Sequence, residues 1–240
     1  MLMGFLKFNI NQILFFYFFL GIIGGEIGIH RLNAHNAFVP KNTFIEFTLI
    51  SLGLFCLLGT PLYYKTQHKN HHINSDKNSL DIQSPIIYGV WRTLFVTQFV
   101  FEYASMPLPL LREKKYYTPF YKFTHRFYDR IIYTTLLTIG IINWKLLLGA
   151  FLPGCLLSLY VFKLVNTFCH YPNLLSYRNY KTDDSSQNNF ILGLLSGGLG
   201  FHNNHHKHPV KYTTTKYFWE FDLSGFIIKN LISKKVNSSG

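Results

Sequence analysis

The sequence predicts an all-α fold, a multi-pass membrane helical bundle with a helical cap on its cytoplasmic side. Three observations carry this expectation. Apolar runs of about the ~20 residues that a membrane-crossing helix needs recur along the 240 residues, which are 48% hydrophobic and 18% aromatic. Nine of the 11 histidines fall into short polar clusters at the ends of those runs. The net charge of +12 cannot lie inside apolar spans, so it must gather at their ends. One domain is the expectation for this length.

The first apolar run is Ile10 to Ile29, with Glu26 its only charge and Gly21, Gly24, Gly25 and Gly28 thinning one side. Small residues there let helices approach closely or leave room for a ligand. His30 and His35 follow at once, at a spacing that does not share a face of an α-helix, so the helix end is expected to bend over a site. The second run, Phe44 to Leu62, closes at Gly59-Thr60-Pro61 and lies between two histidine clusters. If both clusters serve one site, it must enter and leave on one side of the membrane, as a re-entrant or half-inserted segment; irregular backbone at depth is tolerated where protein buries it.

Residues Ser75 to Tyr128, with Pro85, Pro107, Pro109 and Pro119 and basic Arg112, Lys114 and Lys115, are expected to form an interfacial cap. Ile131 to Ile142 and Leu146 to Val165 then read as a membrane hairpin turning at Asn143-Trp144-Lys145. Its second arm delivers Asn166 and His170, at i and i+4, to the side it started from. A polar loop leads to the last histidine cluster and a basic tail. Of 23 lysines and arginines, only Lys7 and Lys145 fall away from the histidine side. Positive residues mark the cytoplasmic side, so the site is placed there in an integral membrane protein. No signal peptide is recognised, Cys56, Cys155 and Cys169 do not suggest a disulfide framework, and no feature suits nucleic acid.

The clusters themselves carry the chemistry. His68, His71 and His72, and again His202, His205 and His206, stand at i, i+3 and i+4, which puts three imidazoles on one helical side. With His30, His35, His170 and the weaker ligand Asn166, the donors exceed what one tetrahedral zinc site uses. Imidazole suits iron as well as zinc, and two metals is the better count. Zinc hydrolysis usually adds a carboxylate base within the ligand motif, and no cluster contains one. His125 and His208 stand outside the pattern. Activation of dioxygen against an apolar substrate is the chemistry expected.

These clusters resemble the histidine boxes of the membrane-bound fatty acid desaturases, in particular the delta-9, stearoyl-CoA desaturase-like branch. The resembling residues are His30-Arg31-Leu32-x-x-His35; His68-x-x-His71-His72 with Gly59-Thr60-Pro61 before it and Asp76, Asp81 and Pro85 after it; Asn166-x-x-x-His170; Arg178-x-Tyr180-x-Thr182 with Asn188-Asn189; Gly200-Phe201-His202-Asn203-Asn204-His205-His206; and Trp219-Glu220-Phe221-Asp222. They extend over residues 10 to 232.

The resemblance implies a diiron enzyme that inserts a cis double bond, delta-9 in this branch, into a saturated acyl chain. It would use O2 as co-substrate and two electrons. The substrate would be a fatty acyl-CoA, acyl-carrier protein or acyl lipid, held in an apolar tunnel between helices. These 240 residues carry no haem-binding motif of the cytochrome b5 type, so a separate donor of cytochrome b5 or ferredoxin type is expected, working beside membrane lipid. One iron would be held by His30, His35, His71 and His206 or a similar subset, the other by the remaining boxes, with Asn166 acting through water. A hydroxylase or ketolase on the same scaffold, or a metal-binding paralogue without turnover, are the alternatives.

Four departures stand out: one span before the first box where the family usually has two, Leu199 between Gly198 and Gly200 where the family has an acid, Asp81-Ile82-Gln83 in place of Asp-Pro-His, and Glu26. Glu26 precedes His30 by four residues. It is expected either to accept the spare N–H of a box histidine, making up for the acid missing at Leu199, or to pair with Arg31.

Overall fold

The computed structural model describes residues 8–77, 80–96 and 113–238. Lys7, Pro107, Pro109 and Arg112 of the sequence reading lie outside them, so only parts of the expected cap are described. Helix α1, Ile10–Ala34, is capped by Asn9, whose side chain accepts from the Gln12 N–H. From Tyr17 to Ala34 it is wound with the wider i→i+5 pattern. A short strand β1 (Phe38–Pro40) leads to α2 (Thr43–Gly53).

Leu57 and Gly59 then take positive φ (58° and 88°), which breaks the helix. α3 (Pro61–Asn74) restarts with Thr60 as cap and proline in its first turn, where its missing N–H costs nothing. The axes before and after the break differ by 74°. The short α4 (Pro85–Tyr88), α5 (Val90–Phe95) and α6 (Pro119–Arg126) follow.

The second long apolar helical stretch, Tyr128–Phe168, is broken at Asn143, which leaves helical geometry (φ −155°, ψ 85°). Its arms are α7 (Tyr128–Leu146) and α8 (Leu152–Phe168). They come back together: Tyr128 shares a cavity wall with Leu159 and Lys163, and a Cβ on Gly140 would meet Leu147. Asn143 caps the restart by accepting from the Leu146 N–H. β2 (Ser176–Tyr177) and β3 (Asn188–Asn189) pair antiparallel, and α9 (Phe190–Leu195), α10 (His202–Lys207) and α11 (Leu223–Ile227) complete the helices. The final strand β4 (Ser233–Val236) pairs antiparallel with β1, Phe38 opposite Val236, so the tail is stapled beside the first histidine box.

Glycine sets the packing of α1 on α2. A Cβ on Gly24 would lie 2.4 Å from the Gly53 nitrogen, and one on Gly28 2.5 Å from the Leu49 carbonyl oxygen. Only bare backbone allows this approach. The described residues are thus mostly helical, and among them two helical stretches are long and apolar enough to cross a membrane, with a third candidate if the bent α2–α3 pair is counted as one. Cys56, Cys155 and Cys169 are buried free thiols.

Candidate metal centre

α3 and α10 face one another, and each divides its triad the same way. From α3, His68 and His72 turn to one cluster and His71 to the other; from α10, His205 joins the first while His202 and His206 join the second. The first cluster is His30, His35, His68 and His205, and the second is His71, His170, His202 and His206, the ligand atoms of each lying within 4.8 Å of one another. His72 stands at the seam, its Nε2 3.0 Å from that of His205 and 3.1 Å from that of His68, its ring 4.3 Å from that of His206. The i+3 histidine leaves its i and i+4 companions because it is rotated ~300° from the first of them, whereas i+4 is rotated only ~40° further round than a full turn. The partition expected from resemblance, with His71 and His206 beside His30 and His35, is therefore corrected. Spacing along one helix cannot tell which side of the triad meets which neighbour.

The wider winding of α1 also corrects the first box. With i→i+5 hydrogen bonds, His35 N–H donates to His30 O (3.2 Å), and the two rings meet edge-on with centroids 4.8 Å apart. A spacing of five brings side chains together in such a helix without the chain bending over the site. Segments of this winding commonly accompany functional positions.

The clusters fit metal. Imidazole nitrogens converge in both: His30 Nε2 is 3.0 Å from His205 Nε2, His35 Nε2 2.7 Å from His68 Nε2, and His202 Nε2 3.1 Å from His206 Nε2. Buried Nε2 atoms of His71 and His170 have no hydrogen-bond partner among the described residues. Burial first, and neighbouring imidazoles second, hold His35, His202 and His205 well below the ordinary imidazole pKa. Burial likewise depresses His206. These rings are neutral at pH 7 and offer lone pairs, the form a metal requires.

Carboxylates stand behind the ligands. Nδ1–H of His30 donates to Glu26 (2.7 Å), of His71 to Asp81 (2.9 Å), of His170 to Asp76 (3.2 Å) and of His206 to Asp184 (2.6 Å). Such partners fix the tautomer and raise the basicity of the metal-facing nitrogen. Glu26 serves both roles weighed for it, since its other oxygen accepts from Arg31 Nε at 2.6 Å. Arg31, 2% exposed, continues to both oxygens of Asp222 at 2.8 and 3.1 Å. Asp222 also caps α11 and accepts from the Thr214 N–H.

Asp76, Asp81 and Asp184 were not singled out as site residues from the sequence. One signal was available: in a chain with only 11 acids, Asp76 and Asp81 lie within ten residues of His71. Burial would raise Asp76 and Asp184, but His170 and Ser185 for the one, His206 and Ser186 for the other, hold them below the usual carboxylate range.

The remaining candidates fall elsewhere. Asn166 donates to the Gln83 side chain and stands on the wall of an apolar cavity with Leu57, Tyr64, Leu159 and Phe162; no hydrogen bond joins it to a box histidine among the described residues. The cavity touches α3 at Tyr64 and Gln67, the turn before His68. His125 bonds Thr60 (2.9 Å), and His208 packs on Tyr180, both apart from the clusters.

Leu199 is buried with Phe162, Val165, Cys169 and Leu192. Its flanking glycines are fixed by contact: a Cβ would meet Asp222 at 2.2 Å from Gly198 and Gly193 N at 2.3 Å from Gly200. Glu220 gathers Asn179, Asn204 and Tyr177, tying the polar loop to α10.

Known proteins share much of this sequence. The family described as fatty acid desaturase matches residues 11–221. The chain is 28% identical to an sn-2 palmitoyl-lipid 9-desaturase of Nostoc sp. (96% of this chain, 82% of that protein). It is 27% identical to an acyl-CoA C20 Delta5-desaturase of Anemone leveillei (90% and 68%) and 26% identical to Delta-9 acyl-lipid desaturase 2 of Arabidopsis thaliana (90% and 69%). Paired histidine clusters, apolar helices and a match over most of the length lead to one conclusion: this chain belongs to the fatty acid desaturase family, oxidoreductases that act on acyl chains.

Proposed function

We propose that the protein is a diiron acyl desaturase that places a cis double bond, at delta-9, in a saturated acyl chain. The observation that carries this reading is the pair of four-histidine clusters beside an apolar cavity that shares α3 with them. His30, His35, His68, His72 and His205 hold one iron; His71, His170, His202 and His206 hold the other. When bound, the irons supply the oxidising power, drawn from dioxygen and two electrons, that removes two hydrogens from the substrate. Everything else is positioning by this chain. The apolar wall receives a chain without polar handles and keeps water from it, and the Asn166–Gln83 hydrogen bond on that wall is a place to orient a water. Glu26 holds His30 in one tautomer.

Delta-9 is favoured because two of the three relatives named act at that position, as their names say; the third is named for Delta5. The acyl group is carried by CoA, carrier protein or lipid, and the electrons come from a separate cytochrome b5 or ferredoxin-type protein. The bent α2–α3 pair (74°) and the returning arms α7 and α8 favour a multi-pass bundle with α2 re-entrant, and the lysines and arginines gathered on the histidine side favour the cytoplasmic side for the histidines. Cysteines introduced at Asn42 and Lys69 should both label from that side; labelling from opposite sides refutes the re-entrant segment.

The function is tested by expression in cells lacking desaturation, with fatty acid profiling and iron analysis. A new monounsaturated acid and about two irons per chain are expected; His71→Ala should lose the product and part of the iron, and His125→Ala should keep both. A product with added oxygen in place of a double bond would make the protein a hydroxylase, and normal product from His71→Ala would overturn the assignment.

A further inference from the structure

The two clusters hold different charge. Behind the second stand three carboxylates, Asp81 on His71, Asp76 on His170 and Asp184 on His206. Behind the first stands one, Glu26 on His30, and Arg31 already takes its other oxygen. No other ion pair of a cluster histidine with an acid occurs among the described residues. The three aspartates are also held in place from behind. Asp76 accepts from Ser84 Oγ (2.6 Å) and the Ser185 N–H (2.9 Å); Asp81 from the N–H groups of Asp76 (3.2 Å) and Gln83 (3.0 Å); Asp184 from Thr182 Oγ1 (2.7 Å) and Ser186 Oγ (2.6 Å).

Resting on the diiron reading above, we infer that the cluster of His71, His170, His202 and His206 is the tighter metal site, filled first and emptied last, with Asp76, Asp81 and Asp184 as its positioning residues. Two effects act in the same direction. A carboxylate on the far nitrogen makes the near one a better donor, and losing such a partner typically lowers metal affinity about 10 to 100-fold. Three fixed negative charges close to a divalent cation add more attraction than the Glu26–Arg31–Asp222 group, which sums to a single negative charge. His72 gives the first cluster a fifth donor. That donor is uncharged and stands as near to His206 as to its own cluster, so it does not offset the difference.

The experiment is Co(II) addition to the metal-stripped full chain in nanodiscs, followed by the d–d absorption of bound cobalt, with anomalous scattering from crystals grown at one equivalent. Two binding steps at least tenfold apart are expected, with the one-equivalent cobalt among His71, His170, His202 and His206. Asp81→Asn and Asp184→Asn should weaken the first step about 10 to 100-fold and leave the second. Glu26→Gln should weaken only the second. Asp81→Glu should recover part of the first, which a merely structural defect would not allow. Two indistinguishable steps, or cobalt first among His30, His35, His68 and His205, overturn the inference while leaving a dimetal site standing. Failure of the wild-type chain to bind cobalt at all overturns both.

Discussion

Helices α1 and α7 share an apolar character but live in opposite surroundings. The spans that contain them, Ile10–Ala34 and Tyr128–Phe168, have the same mean hydropathy, 1.8. Yet fourteen of the eighteen residues from Tyr17 to Ala34 are buried, whereas α7 buries Ile132 alone, with Ile141 and Ile142 more than three-quarters exposed. Hydropathy reports that a segment avoids water and is silent on whether lipid or protein covers it. What separates the two is the glycines and where the charged residues stand. α1 carries the glycines that admit α2 and a glutamate and arginine that must find partners once inside; α7 has one glycine, and its charged residues Asp129, Arg130 and Lys145 stand at its ends.

Substitutions matched across the two helices test this contrast. The largest effect is expected at Arg31. Arg31→Met strands Glu26 and Asp222 in the interior, and breaking a buried ion pair costs about 3–5 kcal/mol, so the thermal midpoint in detergent should fall steeply. Lys145→Met, at the exposed turn that ends α7, should leave it unchanged, and equal losses would erase the distinction. Ile29→Ala, at a fully buried position, should cost about 2–5 kcal/mol through the cavity it leaves. Ile142→Ala should stay within about 0.5 kcal/mol; a large loss there would show that another surface covers α7.

A finer contrast lies in the glycines. Gly24→Ala forces a methyl into the backbone of α2, an overpacking worth about 1–3 kcal/mol. Gly140→Ala meets only a flexible leucine tip at 3.1 Å and gains the helix preference of alanine, about 1 kcal/mol at most. Unfolding midpoints of the pair should move in opposite directions. If Gly24→Ala is neutral, α1 and α2 are not in backbone contact.

Much of the site could be read in order along the chain. Imidazoles at i, i+3 and i+4, twice, need no partner to be recognised as candidate ligands, because helical geometry is local. The break at Gly59-Thr60-Pro61 and the turn at Asn143 were legible for the same reason: proline, glycine and capping side chains act on their own backbone. Glu26 was legible because it lies one turn from His30.

The partition of the triads was decided only by the tertiary structure. It depends on α3 and α10 facing each other, and rotation along one helix carries no information about the element opposite. The same holds for Asp184 on His206, twenty-two residues away through a loop, and for Asp222 on Arg31, 191 residues away. The i→i+5 winding of α1 also escaped, since no single residue type demands it and the packing of its glycines against α2 helps to set it. The sequence by itself determined which side chains could bind metal and which stretches shun water. Which ligands share an ion, which acids stand behind them and which apolar helix is inside were decided when the helices packed, because those are properties of pairs distant in the chain.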